Sequence, residues 1–283
     1  MAQEEGPLCV AEYSEKGGVG KTSITAGLAA VAADRGLRVG VGDLDPRGTL
    51  TDELGLDEDE LEHTINDIFH VDTSKKARPP RDPAEIVHEV FVPAGRGWPS
   101  NIRILPVDRD FANRESDPTP TMEFRLKRAL WGLREEVDIF FLDVPPRAGG
   151  KLAGAALLAS RQVLLPATLT KDGYLGVQEG LRSIAHYNGP GCLNPDLVLS
   201  GVVRSMVPRK KEFSAVNAHW QERLIDDFGD FLLPDAVPFL AVREVARTAC
   251  KPITAAPGRY AKSLVRTYGQ ILDHILKTAK EQS

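Results

Sequence analysis

Cysteine is scarce in this chain of 283 residues: Cys9, Cys192 and Cys250 lie far apart, and no C-x-x-C pair occurs. That spacing excludes a disulfide framework and leaves no pattern for a zinc or iron–sulfur site. Long apolar runs are missing as well, none approaching the roughly 20 residues of a membrane-spanning helix. The opening "MAQEEGPLCV" lacks the basic and apolar stretches of a signal peptide. These absences point to a cytoplasmic protein. Excess positive charge is also missing. The net charge is −5, which by its sum weighs against a nucleic-acid partner. Its distribution is uneven, however. From residue 200 onward 13 Lys and Arg face 9 Asp and Glu, whereas before it 22 face 31. The chain is acidic in front and mildly basic behind.

What is present is the composition of a soluble globular protein, 42% apolar and 27% charged. Short apolar runs predict strands at 8–13, 39–43, 102–106, 138–144, 162–166 and 197–203. The run "DIFFLDV" has no polar alternation, as expected of a strand covered on both faces. Helical patterns fall between these runs. The first spans 21–35, with Ile24, Leu28 and Val31 on one face and Gly36 as its stop. Others are "TMEFRLKRALWGLREE", "GYLGVQEGLRSIAHY", "SAVNAHWQERLIDDF" and the terminal "YAKSLVRTYGQILDHILKTAKEQ". Repeated β–α units predict an α/β fold with a mostly parallel, twisted sheet and helices on both faces. The stretches "DTSKKARPPRDP" and "NRESDPTPT" read as surface loops within one domain covering 1–283, because the sheet pattern resumes after each.

The most informative stretch is "EKGGVGKTS", which follows a predicted strand and opens a helix. That is where a phosphate cradle belongs. Gly17, Gly18 and Gly20 let backbone N–H groups close on phosphate oxygens, and the helix N-terminus adds its positive end. The whole run Gly17, Gly18, Val19, Gly20, Lys21, Thr22 and Ser23 is the expected nucleotide-binding loop. Lys21 is placed to reach the β- and γ-phosphates and the Thr22 hydroxyl to hold Mg²⁺. The loop carries a second lysine, Lys16, and glutamate stands where the usual G-x-x-x-x-G-K-[ST] pattern has its first glycine.

In these features the chain resembles the ParA/MinD family of P-loop ATPases, whose altered loop reads K-G-G-x-G-K-[ST]. The resemblance implies ATP and Mg²⁺ as cofactors and a homodimer that sandwiches two nucleotides. Lys16 would then reach across to the partner's phosphates, and in a single chain it would stand solvated. "VGDLDPRGTLTDELG" resembles the family's D-x-D-P-Q-G-[NS] switch. It implies that Asp45 positions the attacking water and that Asp43 sits near the metal. The chain departs from that pattern at Arg47, where glutamine is usual, and at Thr49. "FFLDVPP" resembles the Walker B segment, with Asp143 reaching Mg²⁺. "VPFLAVREVARTACKPI" resembles a degraded adenine-lining segment, implying contacts from Pro238 and Phe239. Lys16, Lys21 and Asp45 are thus the expected catalytic residues, and Thr22, Asp143 and Asp43 the expected metal set.

Within the family the cargo differs. The terminal helix has a Leu272, Ile275 and Leu276 stripe but no Trp or Phe, and acidic residues intrude. A packed helix, and no membrane partner, is expected rather than a membrane-surface helix. "RSMVPRKKEF" falls where the family has an arginine-bearing loop, so Met206 is expected near the nucleotide. Arg204, Arg209, Lys210 and Lys211 are expected on non-specific double-stranded DNA. Arg243 joins that set one place out of register, and Lys251, Arg259, Lys262 and Arg266 are weaker candidates. The resemblance implies a nucleoid-associated DNA-partition ATPase stimulated by a ParB-like centromere-binding protein. The alternative is a MinD-like or cargo-positioning ATPase acting on a protein or membrane.

Overall fold

The computed structural model describes residues 6–72, 79–147 and 149–282. Part of the proline- and charge-rich loop, residues 73–78, therefore lies outside the described residues. In chain order, β1 (Leu8–Glu12) leads into α1 (Lys21–Asp34) and β2 (Val39–Asp43). Then come α2 (Thr49–Glu53), α3 (Ile65–Phe69), α4 (Pro83–Val90), β3 (Val92–Pro93) and β4 (Ile102–Leu105). α5 (Phe124–Gly132), β5 (Ile139–Asp143), α6 (Lys151–Ala159), β6 (Gln162–Ala167) and α7 (Lys171–Tyr187) follow. β7 (Val198–Val207), α8 (Ala215–Phe228), β8 (Leu232–Pro238), α9 (Ala241–Thr248) and α10 (Arg259–Gln282) end the chain.

The eight strands form one sheet in the order β3-β4-β2-β5-β1-β6-β7-β8. Among the described residues, only the β3–β4 pair is antiparallel. β1 thus lies at the centre with β5 and β6 on either side, so the loop after β1 opens where the chain diverges to the two halves of the sheet. Such a point, at the carboxyl ends of parallel strands, is where ligands bind in open α/β sheets. The two faces are covered by separate clusters. Val10, Val41, Ile139 and Phe141 pack toward α1 and α10, while Ala11, Phe140 and Leu142 pack on the opposite side with residues of α5 and α6.

α10 buries Leu264, Tyr268, Ile271, Leu272 and Ile275 against this core, at about 1.5–3 kcal/mol for each large apolar side chain. The expected packed terminal helix is what forms. Its approach to α1 is close because Gly27 lies opposite the Tyr268 ring. A Cβ at Gly27 would come within 2.4 Å of that ring.

The six strands expected from sequence all form. Two more, β3 and β8, were not expected, nor were α2, α3, α4, α6 and α9. β8 reads "LLPDAVP", whose prolines and aspartate argue against a central strand, but at the sheet edge Pro234 need not donate a ladder hydrogen bond. α6 is apolar all round, with Leu152 to Leu158 buried throughout, so it offers no amphipathic period to read. α4 starts at Pro83 with the Asp82 side chain accepting from Ala84 N. The loop expected up to residue 83 therefore ends one residue earlier.

Candidate functional site

The loop after β1 turns through Gly18 (φ 73°) and Gly20 (φ 85°), both in the left-handed region that glycine adopts without steric cost. Gly20 ends the turn and α1 begins at Lys21, so backbone N–H groups and the helix N-terminus converge on one concavity. The Lys21 side chain curls back into it, donating from Nζ to the carbonyls of Ser14 at 3.1 Å and Lys16 at 3.3 Å. Burial lowers the pKa of this ammonium, while the Asp143 and Asp45 carboxylates oppose that shift. A phosphate would supply the anion that this cradle is arranged around.

Three carboxylates lie at one level at the strand ends. Asp143 of β5 is in register with Glu12 of β1 on one side and with Asp43 of β2 on the other. All are buried. Burial, then the neighbouring Asp43 charge, pushes Asp143 up to about 8. Burial likewise raises Asp43 to about 7 and Glu12 well above the usual carboxylate range. Their partners separate their roles. Asp143 Oδ2 accepts from the Thr22 hydroxyl at 2.5 Å. This pair supplies hard oxygen donors at the mouth of the cradle and suits Mg²⁺. Asp43 instead spends both oxygens on protein: Oδ1 accepts from Asp45 N, and Oδ2 from Leu50 N, Thr51 N and the Thr51 hydroxyl. With four donors aimed at it, Asp43 anchors the start of α2.

Asp45 stands at the rim, its side chain 9% exposed, and is clasped by Arg47. Lys16 is partly exposed to solvent, as expected of a single chain, but it is not without a partner. Its Nζ lies 2.8 Å from Glu179 Oε2 on α7, an interaction that raises the lysine's pKa. Glu15 is held separately, accepting from the Tyr13 and Ser183 hydroxyls.

The far wall is made by β7 and β8. The Ser205 hydroxyl donates to Val19 O at 2.6 Å, tying β7 to the phosphate loop. Met206 follows with φ 51°, a conformation few side chains adopt. It lies against Gly20, where an added Cβ would meet its Cγ at 3.4 Å. Pro238 pairs with Val207, and Phe239, 57% exposed, donates its N–H to Val207 O. Met206 and Phe239 are two exposed apolar side chains beside the loop, suited to the face of a flat base.

The five expected DNA cations do not stay together. Arg209, Lys210 and Lys211 are exposed on the loop after β7, with Arg209 paired to Glu212 at 2.5 Å. The Tyr260 hydroxyl also acts on Arg209, and Arg259 stacks on the Tyr260 ring. This loop and the start of α10 therefore form one basic surface. Arg204 instead donates to the carbonyls of Leu233 and Pro234, bracing β8. Arg243, half-buried, forms an ion pair with Glu53, whose side chain is 1% exposed. Each of these guanidinium groups is thus engaged within the fold, at the sheet edge or on α9.

Sequence reasoning missed Glu12, Ser205 and Glu179. Glu12, in the run "LCVAEY", was open to detection as a charge at the end of a buried strand. Its Oε2 accepts from Thr25 Oγ1 at 3.1 Å, and its Oε1 has no partner among the described residues. Ser205 and Glu179 depend on how β7 and α7 dock, and nothing local marks them.

Residues 9–198 match a sequence family described as an AAA domain. The sporulation initiation inhibitor protein Soj of Bacillus subtilis is 31% identical over 200 residues, covering 70% of this chain and 72% of Soj. Among solved structures, a Cyanothece McdA–ATP complex superposes with a TM-score of 0.78 at 18% identity, over 95% of this chain and 96% of McdA. The cobyrinic acid a,c-diamide synthase of Mycobacterium smegmatis, with bound ADP and magnesium, gives a TM-score of 0.75 at 24% identity, over 98% and 97%. These two structures are likenesses of fold.

Proposed function

Since this chain belongs to the ParA/MinD family of P-loop ATPases, we propose that it is a DNA-partition ATPase of the cytoplasm and nucleoid. ATP binding joins two copies into a dimer that coats duplex DNA without sequence preference. A ParB-like partner bound at a centromere-like site then triggers hydrolysis and release. Among the described residues no helix is long and apolar enough to cross a membrane.

In this reading the β- and γ-phosphates of ATP draw the Lys21 ammonium away from the Ser14 and Lys16 carbonyls that now satisfy it. Thr22 and Asp143 hold Mg²⁺, which supplies positive charge to the terminal phosphate oxygens. Asp45 accepts a hydrogen bond from the attacking water. Met206, Pro238 and Phe239 line the base. Lys16 leaves Glu179 and crosses to the partner's phosphates, where a second cation stabilises charge that develops during transfer. An ion pair this open to solvent holds weakly, so a phosphate displaces it readily.

The observation that carries the DNA reading is the path of β7. Ser205 touches the phosphate loop, Met206 packs on Gly20, and Arg209, Lys210 and Lys211 follow within a few residues. A nucleotide-dependent change in the cradle thus has a short covalent route to the basic loop. A second reading has its own support. Arg204 and Arg243 are half-buried and engaged within the fold, which leaves Arg209, Lys210 and Lys211 as the exposed members of the expected DNA set. A cargo-positioning ATPase with a protein or membrane partner fits that smaller charge.

Binding to non-specific duplex DNA, measured with ATP, ADP or no nucleotide at two salt concentrations, decides between them. ATP-dependent binding abolished by Lys210→Glu/Lys211→Glu supports partition. ATP-driven dimerisation with no DNA binding moves the function to the other cargo.

A further inference from the structure

Arg47 carries a feature that the phosphate cradle does not explain. Its guanidinium forks onto Asp45, with Nε 3.1 Å from each carboxylate oxygen and Nη2 2.6 Å from Oδ2. Its own N–H adds a further bond to Oδ1 at 3.1 Å. The carboxylate read as accepting the attacking water thus has both oxygens occupied by a neighbour two residues away. The guanidinium side chain is 69% exposed while Asp45 is 9% exposed, so Arg47 reaches inward over the rim of the site.

The backbone around it is fixed. Gly48 N donates to Asp45 O at 2.9 Å, closing a tight turn. The Asp43 carboxylate holds the amides of Leu50 and Thr51 immediately beyond. What remains free to move is the Arg47 side chain. Its charge is felt by Lys21, and the Asp143 and Asp43 carboxylates in turn act on Arg47. It therefore shares an electrostatic neighbourhood with the residues that surround the terminal phosphate of ATP.

We propose that Arg47 senses the third phosphate: its guanidinium holds Asp45 in the absence of ATP and transfers to the terminal phosphate when ATP binds, freeing the Asp45 oxygens for water. The inference rests on the ATP-site reading given above. A guanidinium fork fits two phosphate oxygens as well as two carboxylate oxygens, and the terminal phosphate carries more negative charge than a carboxylate. ADP lacks that group, so with ADP the clasp stays closed. Asp45 is thereby coupled to the presence of the bond to be broken. Arg47 is also where the chain departs from the switch pattern that it resembles, so the coupling belongs to this chain's own residues.

The test compares affinities for a non-hydrolysable ATP analogue and for ADP, each with Mg²⁺, in the wild type, Arg47→Gln and Arg47→Lys. For a charge-assisted contact, Arg47→Gln is expected to weaken the ATP analogue by about 10- to 100-fold while leaving ADP unchanged. Arg47→Lys, which keeps the charge but loses the fork, is expected to fall between. Steady-state hydrolysis in Arg47→Gln should show a raised KM for ATP. Equal losses for both nucleotides, or an unchanged ratio, overturn the proposal. So does a kcat rise at unchanged ATP affinity, because Arg47 would then only mask Asp45. A wild type that binds neither nucleotide would sink the ATP-site reading itself, an outcome distinct from all of these.

Discussion

The Lys16 ammonium and the Glu179 carboxylate face each other at 2.8 Å, each side chain about one third exposed. The lysine that should act on a second subunit is therefore held within its own. Glu179→Gln removes the charge that holds it and leaves the phosphate cradle intact. We expect it to lower the protein concentration needed for ATP-dependent dimerisation by up to about fivefold, the scale of a weak exposed pair. Sedimentation in ATP across a concentration series measures this directly. Lys16→Ala should still bind ATP but lose hydrolysis, and full turnover at the same concentration would remove Lys16 from the chemistry.

Arg243 and Glu53 test whether buried charge here is structural. Arg243→Ala leaves Glu53 buried without its main partner, with Arg247 4.0 Å away as partial relief. The expected cost is about 3–5 kcal/mol of stability, read as a shift in the urea midpoint. DNA affinity per folded molecule should not change. A stable variant with weaker DNA binding would return Arg243 to the DNA surface.

Gly27 and Tyr268 form a close approach between α1 and α10, a Cβ at Gly27 falling 2.4 Å from the ring. Gly27→Ala is expected to lose about 1–3 kcal/mol through overpacking. Adding Tyr268→Leu should recover part of that loss, since the clashing ring is gone. Additive losses in the double variant would place the strain elsewhere.

The three carboxylates at the strand ends predict how stability changes with pH. Glu12, Asp43 and Asp143 are all raised by burial, Asp43 to about 7 and Asp143 to about 8. Above about pH 4 the unfolded chain releases these protons while the folded state still holds them. Their stabilising contribution is complete below that pH and is lost as pH rises through about 7 to 8. Urea midpoints of the nucleotide-free protein should therefore fall between about pH 5.5 and 8. Glu12→Gln, which cannot ionise, should flatten the curve. A midpoint that does not fall over this range would mean that these carboxylates are already ionised in the folded state at its acid end.

Salt dependence tests the basic loop. Arg209, Lys210 and Lys211 from each of two copies give six phosphate contacts, which should cost about a thousandfold in affinity between 50 and 200 mM salt. A shallow slope would leave the loop without that role.

Much of this architecture is legible in the amino-acid sequence. The phosphate loop is, because glycine spacing, a strand before it and a helix after it all point to one chemistry. The central strands are, because strands covered on both faces read as unbroken apolar runs. Partnerships between distant residues are not. Arg204, Arg209 and Arg243 look alike as letters, but whether each faces solvent depends on β8 and α9, whose own residues carry weak signals. Lys16 is legible as an unusual cation. Its capture by Glu179 requires the docking of α7.

The α2 region is fastened at both of its ends. The Asp43 carboxylate grips its first turn, and the Glu53–Arg243 pair ties its last residue to α9. With both ends fixed, the rim cannot swing open as a flap. Any message that ATP sends through it must travel as a swap of side-chain partners over a few ångströms. Such a relay resets as quickly as a side chain can turn and leaves the outline of the subunit almost unchanged. A partner protein would therefore have to sense which charges are exposed rather than a change in shape.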